Sequence, residues 1–570
     1  MKFKEVFFKV LPIILIINFF FIMFYYLNNY IDDKILQQYL IRIEPVFLGV
    51  NFILIVASFL SSLKDIKKVL KNVKKISWII LIIIFAIGFI LRMFVAPHTH
   101  RVFFDEDIYL DIGKQILTEG KGCLCNYGDS KECYDCILMK WPNGYPFTAA
   151  VAFMFFGISE SVAFNLEVLL GSISVLLVFG IGYLLSGKEE IGLFSALLFA
   201  LIPVHIMWSG TTASEPVFMF YTILSIFAFL VSFREFNFKT SLFAMSALSF
   251  ALQVRAEGPV LLIIIGGMIL LLDKKLKVKI NDVKFLIPLI VLFFLIMPTL
   301  LHVRHSSETD PWGSSGKVFG WEYAKQNIPI NAWFWFTGYP AIENPVFFTI
   351  FAIIGLIFLL KINVKLALFL GLWFLSIFFL YAFFYAGSVR YGTDVRYSMS
   401  GYIPFVIFGG FGFYLVQQLI SKKFKHPWII FLIFSTIIFI SFLFYLPSVS
   451  TPADKIMEAN QARTYHDFVV KEASKLDDNC YILTHTPSIF LIMNKGSLQT
   501  WYGSNTNTMK ELFNRTDCVI FDDNFWCNLE PYKSSVCKHI FDAYNLTMIS
   551  SVQTNDGHTY ALYRISNPFE

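Results

Sequence analysis

Long apolar runs dominate the pattern of hydrophobic and polar positions along the chain. Most are close to the roughly 20 residues that an α-helix needs to cross a bilayer. Eleven such runs lie at 7–27, 44–63, 77–96, 161–185, 189–208, 216–233, 284–301, 346–361, 364–385, 402–420 and 427–446. The stretch 240–272 predicts two more helices, folded back at Glu257-Gly258-Pro259. The pattern therefore predicts about thirteen transmembrane helices.

The pattern changes after about residue 450. A helical segment at 453–475 precedes strand-like runs, which lie at 480–485, 497–502 and 517–522. The segment 547–564 predicts a hairpin around Asn555-Asp556-Gly557. We therefore expect a small α/β domain at 451–570, following a membrane domain at 77–450 with a long loop at 97–145. Residues 1–76 would add two N-terminal helices and a basic loop.

Composition agrees with a polytopic α-helical membrane protein. The chain of 570 residues is 56% hydrophobic, 18% aromatic and only 15% charged, with a mean hydropathy of +0.63. These values exclude a soluble globular protein and a disordered one, and continuous apolar runs exclude an outer-membrane barrel. The net charge of +5 is modest, and we expect no nucleic-acid partner. The lysine, isoleucine and phenylalanine content suits an archaeal plasma membrane.

Lysine and arginine in the short loops predict the orientation, because such loops are basic on the cytoplasmic side. With a cytoplasmic N-terminus, every inside loop is basic, and the run 64–75 contains six lysines. The loops 97–145, 209–215, 302–345 and 386–401 would then be exterior, together with the tail from 451. Acids, histidines and tryptophans concentrate in these exterior segments.

Arginine is distributed differently from lysine. Of eleven arginines, only Arg234 lies clearly in a predicted cytoplasmic loop. Others fall at or beyond the outer boundary, namely Arg92, Arg101, Arg255, Arg304, Arg390 and Arg396. The planar guanidinium suits bidentate recognition of phosphate or carboxylate. The alternative is ion pairing with loop acids or snorkelling to lipid headgroups.

An acidic group opens the first exterior loop. Asp105, Glu106 and Asp107 follow an apolar pair, and Tyr109 comes two residues later. Neighbouring carboxylates repel one another, so we expect a raised pKa in at least one of them, and such a group suits a general base. The alternative is a solvated acidic start to an amphipathic helix at the membrane surface.

All eight cysteines lie in predicted exterior segments. Cys123, Cys125, Cys133 and Cys136 belong to the first loop, and Cys480, Cys518, Cys527 and Cys537 belong to the tail. Even numbers in an oxidising compartment predict two disulfides in each segment. The spacing in the loop also suits a structural zinc site, which is the alternative. Two glycosylation sequons, at Asn514 and Asn545, agree with an exterior tail.

Four short motifs occur in order along the exterior segments. They are Asp105-Glu106-Asp107-Ile108-Tyr109, Lys140-Trp141-Pro142 with the later Gly157-Ile158-Ser159-Glu160, Ser214-Glu215-Pro216, and Arg396-Tyr397 before Pro404. With them the chain resembles polyprenyl-phosphate-dependent glycosyltransferases of the GT-C fold, in particular the protein O-mannosyltransferase and aminoarabinose transferase group. The resemblance covers about 77–450. It departs from the family where Trp141 replaces a proline and where a cysteine-rich insertion occupies 121–136.

The resemblance implies an inverting glycosyltransferase at the outer face of the plasma membrane. The donor would be a sugar, such as the hexose mannose, on polyprenyl or dolichyl phosphate, and the acceptor would be a hydroxyl of a protein or lipid-linked glycan. Asp105 would be the catalytic base, with Glu106 as the next candidate. Three cations would bind the donor phosphate: Lys140, Arg255 and Arg396. Asp107, Tyr109, Glu215 and Tyr397 would orient the substrates.

No cofactor is expected, and no metal site is assigned. His205, His302 and His305 are candidate metal ligands, but lone histidines near an interface usually form only hydrogen bonds. An inactive structural subunit is one alternative to the transferase, and two others remain. One is a lipid-glycan flippase or transporter, which typically places ionisable groups at mid-membrane. The other is an oligosaccharyltransferase-like enzyme that depends on a divalent metal, although the Trp-Trp-Asp segment of those enzymes is absent from the sequence.

Overall fold

A computed structural model describes residues 3–569. The ranges outside the description are 103, 273–281, 308–316, 340–341, 344, 390–391, 425–426, 446–448, 450–456, 529–535 and 555–556. Arg390 and the first two residues of the predicted Asn555-Asp556-Gly557 turn therefore lie outside the described residues. The chain forms two compact units. The helical unit comprises 1–98, 140–145 and 164–452, and the sheet unit comprises 99–139, 146–163 and 453–570.

Helices occupy all thirteen apolar runs predicted from the sequence. Those of the helical unit are α1 Phe3–Tyr30, α2 Asp33–Val69, α3 Lys75–Ile90, α6 Glu160–Ser186, α7 Glu189–Leu201, α8 Pro203–Trp208, α9 Ser214–Arg234, α10 Phe238–Leu252, α11 Val260–Leu272, α12 Val283–Ser307, α13 Trp321–Thr337, α14 Val346–Ile362, α15 Val364–Ala382, α16 Tyr402–Phe424 and α17 Pro427–Leu443. The first turn of α6, before residue 164, belongs to the sheet unit. A π-helix at Leu91–Val95 extends α3, and a 3₁₀-helix at Gly392–Gly401 precedes α16. Strand β3 Gly338–Tyr339 pairs antiparallel with β4 Ile342–Glu343.

Eight of the helices in the described ranges are long and apolar enough to cross a membrane. Five shorter apolar helices accompany them, including α10, α11 and α14. The run 189–208, predicted as one span, is instead broken into α7 and α8. Ile202 is extended, with φ −60° and ψ 120°, because a residue before proline avoids the helical region. Pro203 then begins the next helix.

Close helix packing depends on small residues. Helix α14 packs against α16, where a side chain at Gly355 would overlap the carbonyl of Phe408 and one at Gly412 would overlap that of Phe351. Small residues allow backbones to approach closely where apolar helices cannot gain from hydrophobic burial alone. The helical unit is thus a packed bundle, and the predicted polytopic α-helical membrane fold is confirmed.

The sheet unit contains a seven-stranded mixed sheet in the order β2-β1-β6-β5-β7-β9-β8. Its strands are β1 Leu124–Gly128, β2 Cys133–Ile137, β5 Tyr481–Thr484, β6 Gly496–Gln499, β7 Val519–Asp523, β8 Leu546–Gln553 and β9 Thr559–Ile565. The predicted tail strands and the hairpin 547–564 are confirmed. The first two strands belong to loop 97–145, and Tyr127 of β1 pairs with Leu498 of β6. The sequence did not predict this pairing.

Helices cover both faces of this sheet. They are α4 Asp105–Glu119, α5 Gly144–Phe156, and the tail helices Met457–Ala473, Pro487–Ile492, Thr506–Arg515 and Val536–Ala543. The first two residues of α5 belong to the helical unit. Ile482 and Ile520 contribute to one core, whereas Leu483 and Phe521 contribute to the other. This division follows from the alternation of side chains along a strand. The tail is therefore an α/β domain, as predicted.

All eight cysteines form disulfides. The pairs are Cys123–Cys136, Cys125–Cys133, Cys480–Cys518 and Cys527–Cys537. Two bridges lie in the loop and two in the tail, as the sequence predicted. The alternative of a zinc site in the loop is wrong, because the four sulfur atoms are bonded to one another.

Candidate active site

The predicted catalytic base lies at the first residue of α4, in the sheet unit. Asp105 is partly exposed and follows Phe104, whose φ is +66°. A non-glycine residue rarely adopts this left-handed conformation, and it persists only where surrounding contacts hold it. The Phe104 ring stacks on Trp526, with 5.3 Å between centroids. These contacts fix the start of the helix, and with it the backbone position of Asp105.

Glu106 is placed quite differently from its neighbour. Its carboxylate is completely buried, and Oε1 accepts hydrogen bonds from the backbone N–H groups of Arg101 and Val102, both at 2.8 Å. Burial lowers the pKa of Arg101 to about 10, and the nearby charge of Glu106 opposes that fall. Glu106 thus closes the turn that leads into α4.

Asp107 belongs to a third arrangement, the histidine–carboxylate cluster of His100, Asp107, Glu160 and His466. Asp107 Oδ1 lies 3.8 Å from His100 Nδ1 and 3.9 Å from His466 Nε2. Glu160 Oε1 lies 3.6 Å from His100 Nε2 and 2.7 Å from His466 Nε2. The two imidazole rings stack with centroids 4.1 Å apart. All of these residues belong to the sheet unit.

The cluster perturbs the protonation of its members. Burial raises the pKa of Asp107, and the charges of His100 and His466 oppose that rise. The raised pKa expected among the three acids is therefore found at Asp107, but burial rather than mutual repulsion is its main cause. Burial alone would lower the pKa of His466, but the neighbouring Asp467 carboxylate, the hydrogen bond with Glu160 and the charge of Asp107 raise it to about 10.

The alternative of a solvated acidic helix start is wrong. Glu106, Asp107 and Tyr109 are all buried, as is Asp111 one turn further along α4. Burial raises the pKa of Asp111 to about 6, although hydrogen bonds from Gln115 and Cys125 stabilise its charge. Only Asp105 of the acidic group is partly exposed.

Predicted phosphate-binding residues meet in the helical unit. Glu215 Oε1 lies 2.8 Å from Arg255 Nη1 and 2.6 Å from Arg396 Nε. We call these three residues the guanidinium cluster. Glu215 is the second residue of α9, Arg255 follows α10, and Arg396 lies in the 3₁₀-helix before α16. Three distant segments therefore bring two arginines to one buried carboxylate.

Aromatic rings and further acids surround the guanidinium cluster. The Tyr397 ring lies 4.8 Å from the Arg396 guanidinium and 6.0 Å from that of Arg255, within the range of cation–π attraction. Arg255 also forms two hydrogen bonds with Glu257, at 2.8 and 3.1 Å. Asp394 lies 3.8 Å from Arg396. The ion pairing considered for these arginines is therefore present.

Lys140 lies in the short segment 140–145 of the helical unit. Its Nζ is 5.1 Å from the centre of the Trp141 ring, so the tryptophan that departs from the family pattern contacts the lysine. Gly144 N donates to Gln253 O at 2.9 Å, which places this segment against the turn that contains Arg255. A side chain at Gly144 would overlap that carbonyl.

The three histidines considered as metal ligands form hydrogen bonds or ion pairs instead. His302 Nδ1 lies 2.6 Å from Glu44 of α2, and Asn143 donates to the same carboxylate oxygen at 2.7 Å. His205 contacts the Met399 carbonyl at 3.1 Å. His305 lies 3.5 Å from Asp33.

Sequence reasoning missed most of the histidine–carboxylate cluster. It named Asp107 and quoted Glu160 only within a motif, whereas His100 and His466 received no role. His100 lies seven residues before Asp107, but His466 is more than 350 residues further along the chain. Nothing in local spacing could have joined them.

Comparisons with known proteins bear on the fold. Residues 140–302 match the model of the dolichyl-phosphate-mannose-protein mannosyltransferase family, a region of less than a third of the chain. The apo structure of ArnT from Cupriavidus metallidurans is similar with a TM-score of 0.53 at 11% identity, covering 85% of this chain and 97% of ArnT. The oligosaccharyltransferase AglB from Archaeoglobus fulgidus, in complex with an inhibitory peptide and a dolichol-phosphate, is similar with a TM-score of 0.50 at 10% identity. That match covers 86% of this chain and 74% of AglB.

The chain has the GT-C fold. The resemblance stated from the motifs is thereby confirmed. No curated protein sequence matches the chain significantly. The region that matches the family model, 140–302, contains Lys140, Glu215 and Arg255. Asp105 and Arg396 lie outside that region.

Proposed function

We propose that the protein is an inverting glycosyltransferase that uses a polyprenyl or dolichyl phosphate-linked sugar. The sugar would be a hexose such as mannose, and the acceptor a hydroxyl of a protein or lipid-linked glycan at the outer face of the plasma membrane. The observation that carries the proposal is the guanidinium cluster. In it, Arg255 and Arg396 both pair with the buried carboxylate of Glu215 within a bundle of apolar helices. AglB, which shares the fold and whose structure contains a dolichol-phosphate, supports the choice of a lipid-linked donor.

Two guanidinium groups suit the leaving phosphate. Arginine binds phosphate through paired hydrogen bonds, and a site shielded from water strengthens the attraction. Glu215 and Glu257 already balance these charges. Donor binding would therefore require a guanidinium to exchange part of its carboxylate contact for phosphate. Lys140 would supply a further positive charge, and Tyr397 and Glu215 would orient the donor.

Asp105 is the proposed base. The acceptor oxygen would attack the anomeric carbon as the bond from that carbon to the phosphate oxygen breaks. The bonding electrons would leave with polyprenyl phosphate, and the hydroxyl proton would pass to Asp105. Glu106 suits this task less well, since two backbone N–H groups already occupy its carboxylate. Asp107 and Tyr109 would support the acceptor side.

The proposed organisation follows the sequence divisions. Residues 1–76 would be additional helices, 77–450 the catalytic membrane domain with its exterior loop 97–145, most of which belongs to the sheet unit, and 451–570 an exterior domain that engages the acceptor. The N-terminus would be cytoplasmic. Antibody labelling of tags placed at each end, in intact and permeabilised cells, would test that orientation.

Purified protein in lipid nanodiscs provides the test of activity. Labelled polyprenyl-phosphate sugars would be supplied with membrane and protein acceptor fractions, and sugar transfer and release of polyprenyl phosphate would be measured together. Arg396→Lys keeps the charge but loses the paired donors, so we expect weaker donor binding and slower transfer. Arg234→Lys, at the far end of α9, is the matched control.

Three results would contradict the proposal. One is the absence of transfer with every donor class, and another is unchanged transfer in Arg396→Lys. The third is movement of the intact lipid-linked sugar across the bilayer without phosphate release, which would favour the flippase.

A further inference from the structure

The histidine–carboxylate cluster brings four metal-binding side chains together. One ligand atom from each of His100, Asp107, Glu160 and His466 can be chosen so that all four lie within 4.8 Å of one another. His100, Asp107 and His466 are buried, and Glu160 is partly exposed. Three separate segments supply them: the start of α4 with its preceding turn, the first residue of α6, and the helix Met457–Ala473.

The spacing fits tetrahedral coordination. Zinc binds imidazole nitrogen and carboxylate oxygen at about 2.0–2.2 Å, which places neighbouring ligand atoms about 3.3–3.6 Å apart. With Nε2 of each histidine as the ligand atom, Glu160 Oε1 lies 3.6 Å from His100 and 2.7 Å from His466, and Asp107 Oδ1 lies 3.9 Å from His466. Because the two imidazole rings stack with centroids 4.1 Å apart, one ring must also rotate to direct its nitrogen at the shared ion.

The charge also fits. Two carboxylates balance a divalent cation, and two neutral imidazoles complete the shell without adding charge. Imidazole and carboxylate together suit Zn²⁺, Mn²⁺, Fe²⁺ and Co²⁺ rather than Ca²⁺, which prefers oxygen ligands alone. A buried site of this composition therefore selects a divalent transition metal.

Carboxylates outside the cluster face the histidines as second partners. Glu106 Oε2 lies 3.6 Å from His100 Nδ1, and Asp467 Oδ1 lies 4.0 Å from His466 Nδ1. His466 Nε2 is the nitrogen that faces Asp107 and Glu160. Metal-bound histidines commonly direct their other nitrogen to a carboxylate, which orients the ring and raises its basicity.

We propose that His100, Asp107, Glu160 and His466 form a Zn²⁺ site in the sheet unit. The ion would join the tail helix Met457–Ala473 to the start of α4. It would thereby hold the turn that positions Asp105, two residues before a ligand. The site does not include the guanidinium cluster, and the proposal does not depend on glycosyl transfer.

A second group in the same unit does not compete for this assignment. His485, Cys527 and Cys537 also lie close together, but the two cysteines form a disulfide. Their sulfur atoms are therefore unable to bind as thiolates, and one histidine remains as a ligand.

Metal content and cobalt spectroscopy test the site. The full chain would be purified in detergent through a tag without histidines, stripped with a chelator and titrated with Zn²⁺ and Co²⁺. We expect one ion bound per chain, intense visible Co²⁺ bands of a tetrahedral site, and a higher melting temperature with metal. Asp107→Asn and His100→Ala should lose the bands and the thermal shift.

Two further variants sharpen the result. Asp467→Asn removes an outer partner and should weaken Zn²⁺ binding by about 10–100-fold without abolishing it. His539→Ala removes an exposed histidine outside the cluster and should bind Zn²⁺ as the wild type does. Each variant is first checked for a monodisperse profile and a cooperative melt.

The wild-type titration decides the matter even if a ligand variant fails to fold. The absence of a bound ion, octahedral Co²⁺ spectra, or a melting temperature unaffected by metal would overturn the proposal. Equal binding by the ligand variants would also overturn it. In those cases the cluster would be an ion-pair network of protonated histidines with carboxylates.

Discussion

The contrast between Asp105 and Glu106 yields a sharp prediction. The two carboxylates are adjacent, but one is partly exposed and the other accepts two backbone hydrogen bonds at 2.8 Å. Removing the base should slow transfer by about 10²–10⁴-fold, or roughly 3–5 kcal/mol of activation free energy. Asp105→Asn should therefore reduce kcat strongly with little change in melting temperature or donor binding.

Glu106→Ala should have the opposite profile. Each hydrogen bond to a charged acceptor contributes about 1.5–3 kcal/mol, so losing two costs about 3–6 kcal/mol of folding free energy. Thermal unfolding of the detergent-solubilised protein, followed by tryptophan fluorescence, measures this loss. Release of polyprenyl phosphate under single-turnover conditions measures the chemical step.

The reasoning would be refuted by an inverted outcome. If Asp105→Asn retains full turnover, or if Glu106→Ala melts like the wild type and loses only catalysis, the roles are reversed. Asp105→Glu provides a further control, because it keeps a carboxylate but moves it by one methylene. It should recover part of the lost rate.

Three other outcomes follow from the packing and charges. Gly144→Ala should destabilise the helical unit by about 1–3 kcal/mol through overpacking. Gly266→Ala is the control, because a methyl group there meets open space and should not lower stability. Thermal melts compare the two variants. Glu44→Ala should lower the free energy of unfolding by about 3–5 kcal/mol, because it removes the carboxylate that its buried partners contact. A thermal melt alongside wild type measures this loss, and an unchanged melting temperature would contradict the buried network. Burial raises the pKa of Asp522 to about 6, so its stabilising contribution is present below pH 4 and is lost as the pH rises through 6. The shift of roughly two pKa units limits this contribution to about 3 kcal/mol, and melts of Asp522→Asn from pH 4 to 7.5 should show a smaller decline than wild type.

Periodicity and run length predicted the helices well. Apolar runs of about 20 residues leave few alternatives, and the tail strands followed from their alternation and from the turn signal near 555–557. The break at Pro203 was missed because the apolar run continues through it. The effect of proline on Ile202 is local, so the break could have been read from the sequence.

The site was predictable to a more limited degree. Glu215, Arg255 and Arg396 were named from motifs and from their exterior position, and the structure brings them together. Their pairing geometry could not be predicted, since it depends on the packing of three distant segments. The separate environments of Asp105 and Glu106 depend on a left-handed residue at Phe104, a conformation that no sequence pattern marks. His466 lies too far along the chain for spacing to connect it with His100.

Because Tyr127 of β1 pairs with Leu498 of β6, strand β1 is synthesised long before its partner strand. About 370 residues separate the two strands, and at 5–20 residues per second the ribosome needs roughly 20–75 seconds to supply the second. Throughout that interval the hairpin β1–β2 would present an unpaired edge, which can bind strands of other chains. The bridge Cys125–Cys133 closes a separation of only 8 residues, so it can form long before the partner strand exists. Early oxidation would keep the waiting hairpin in register.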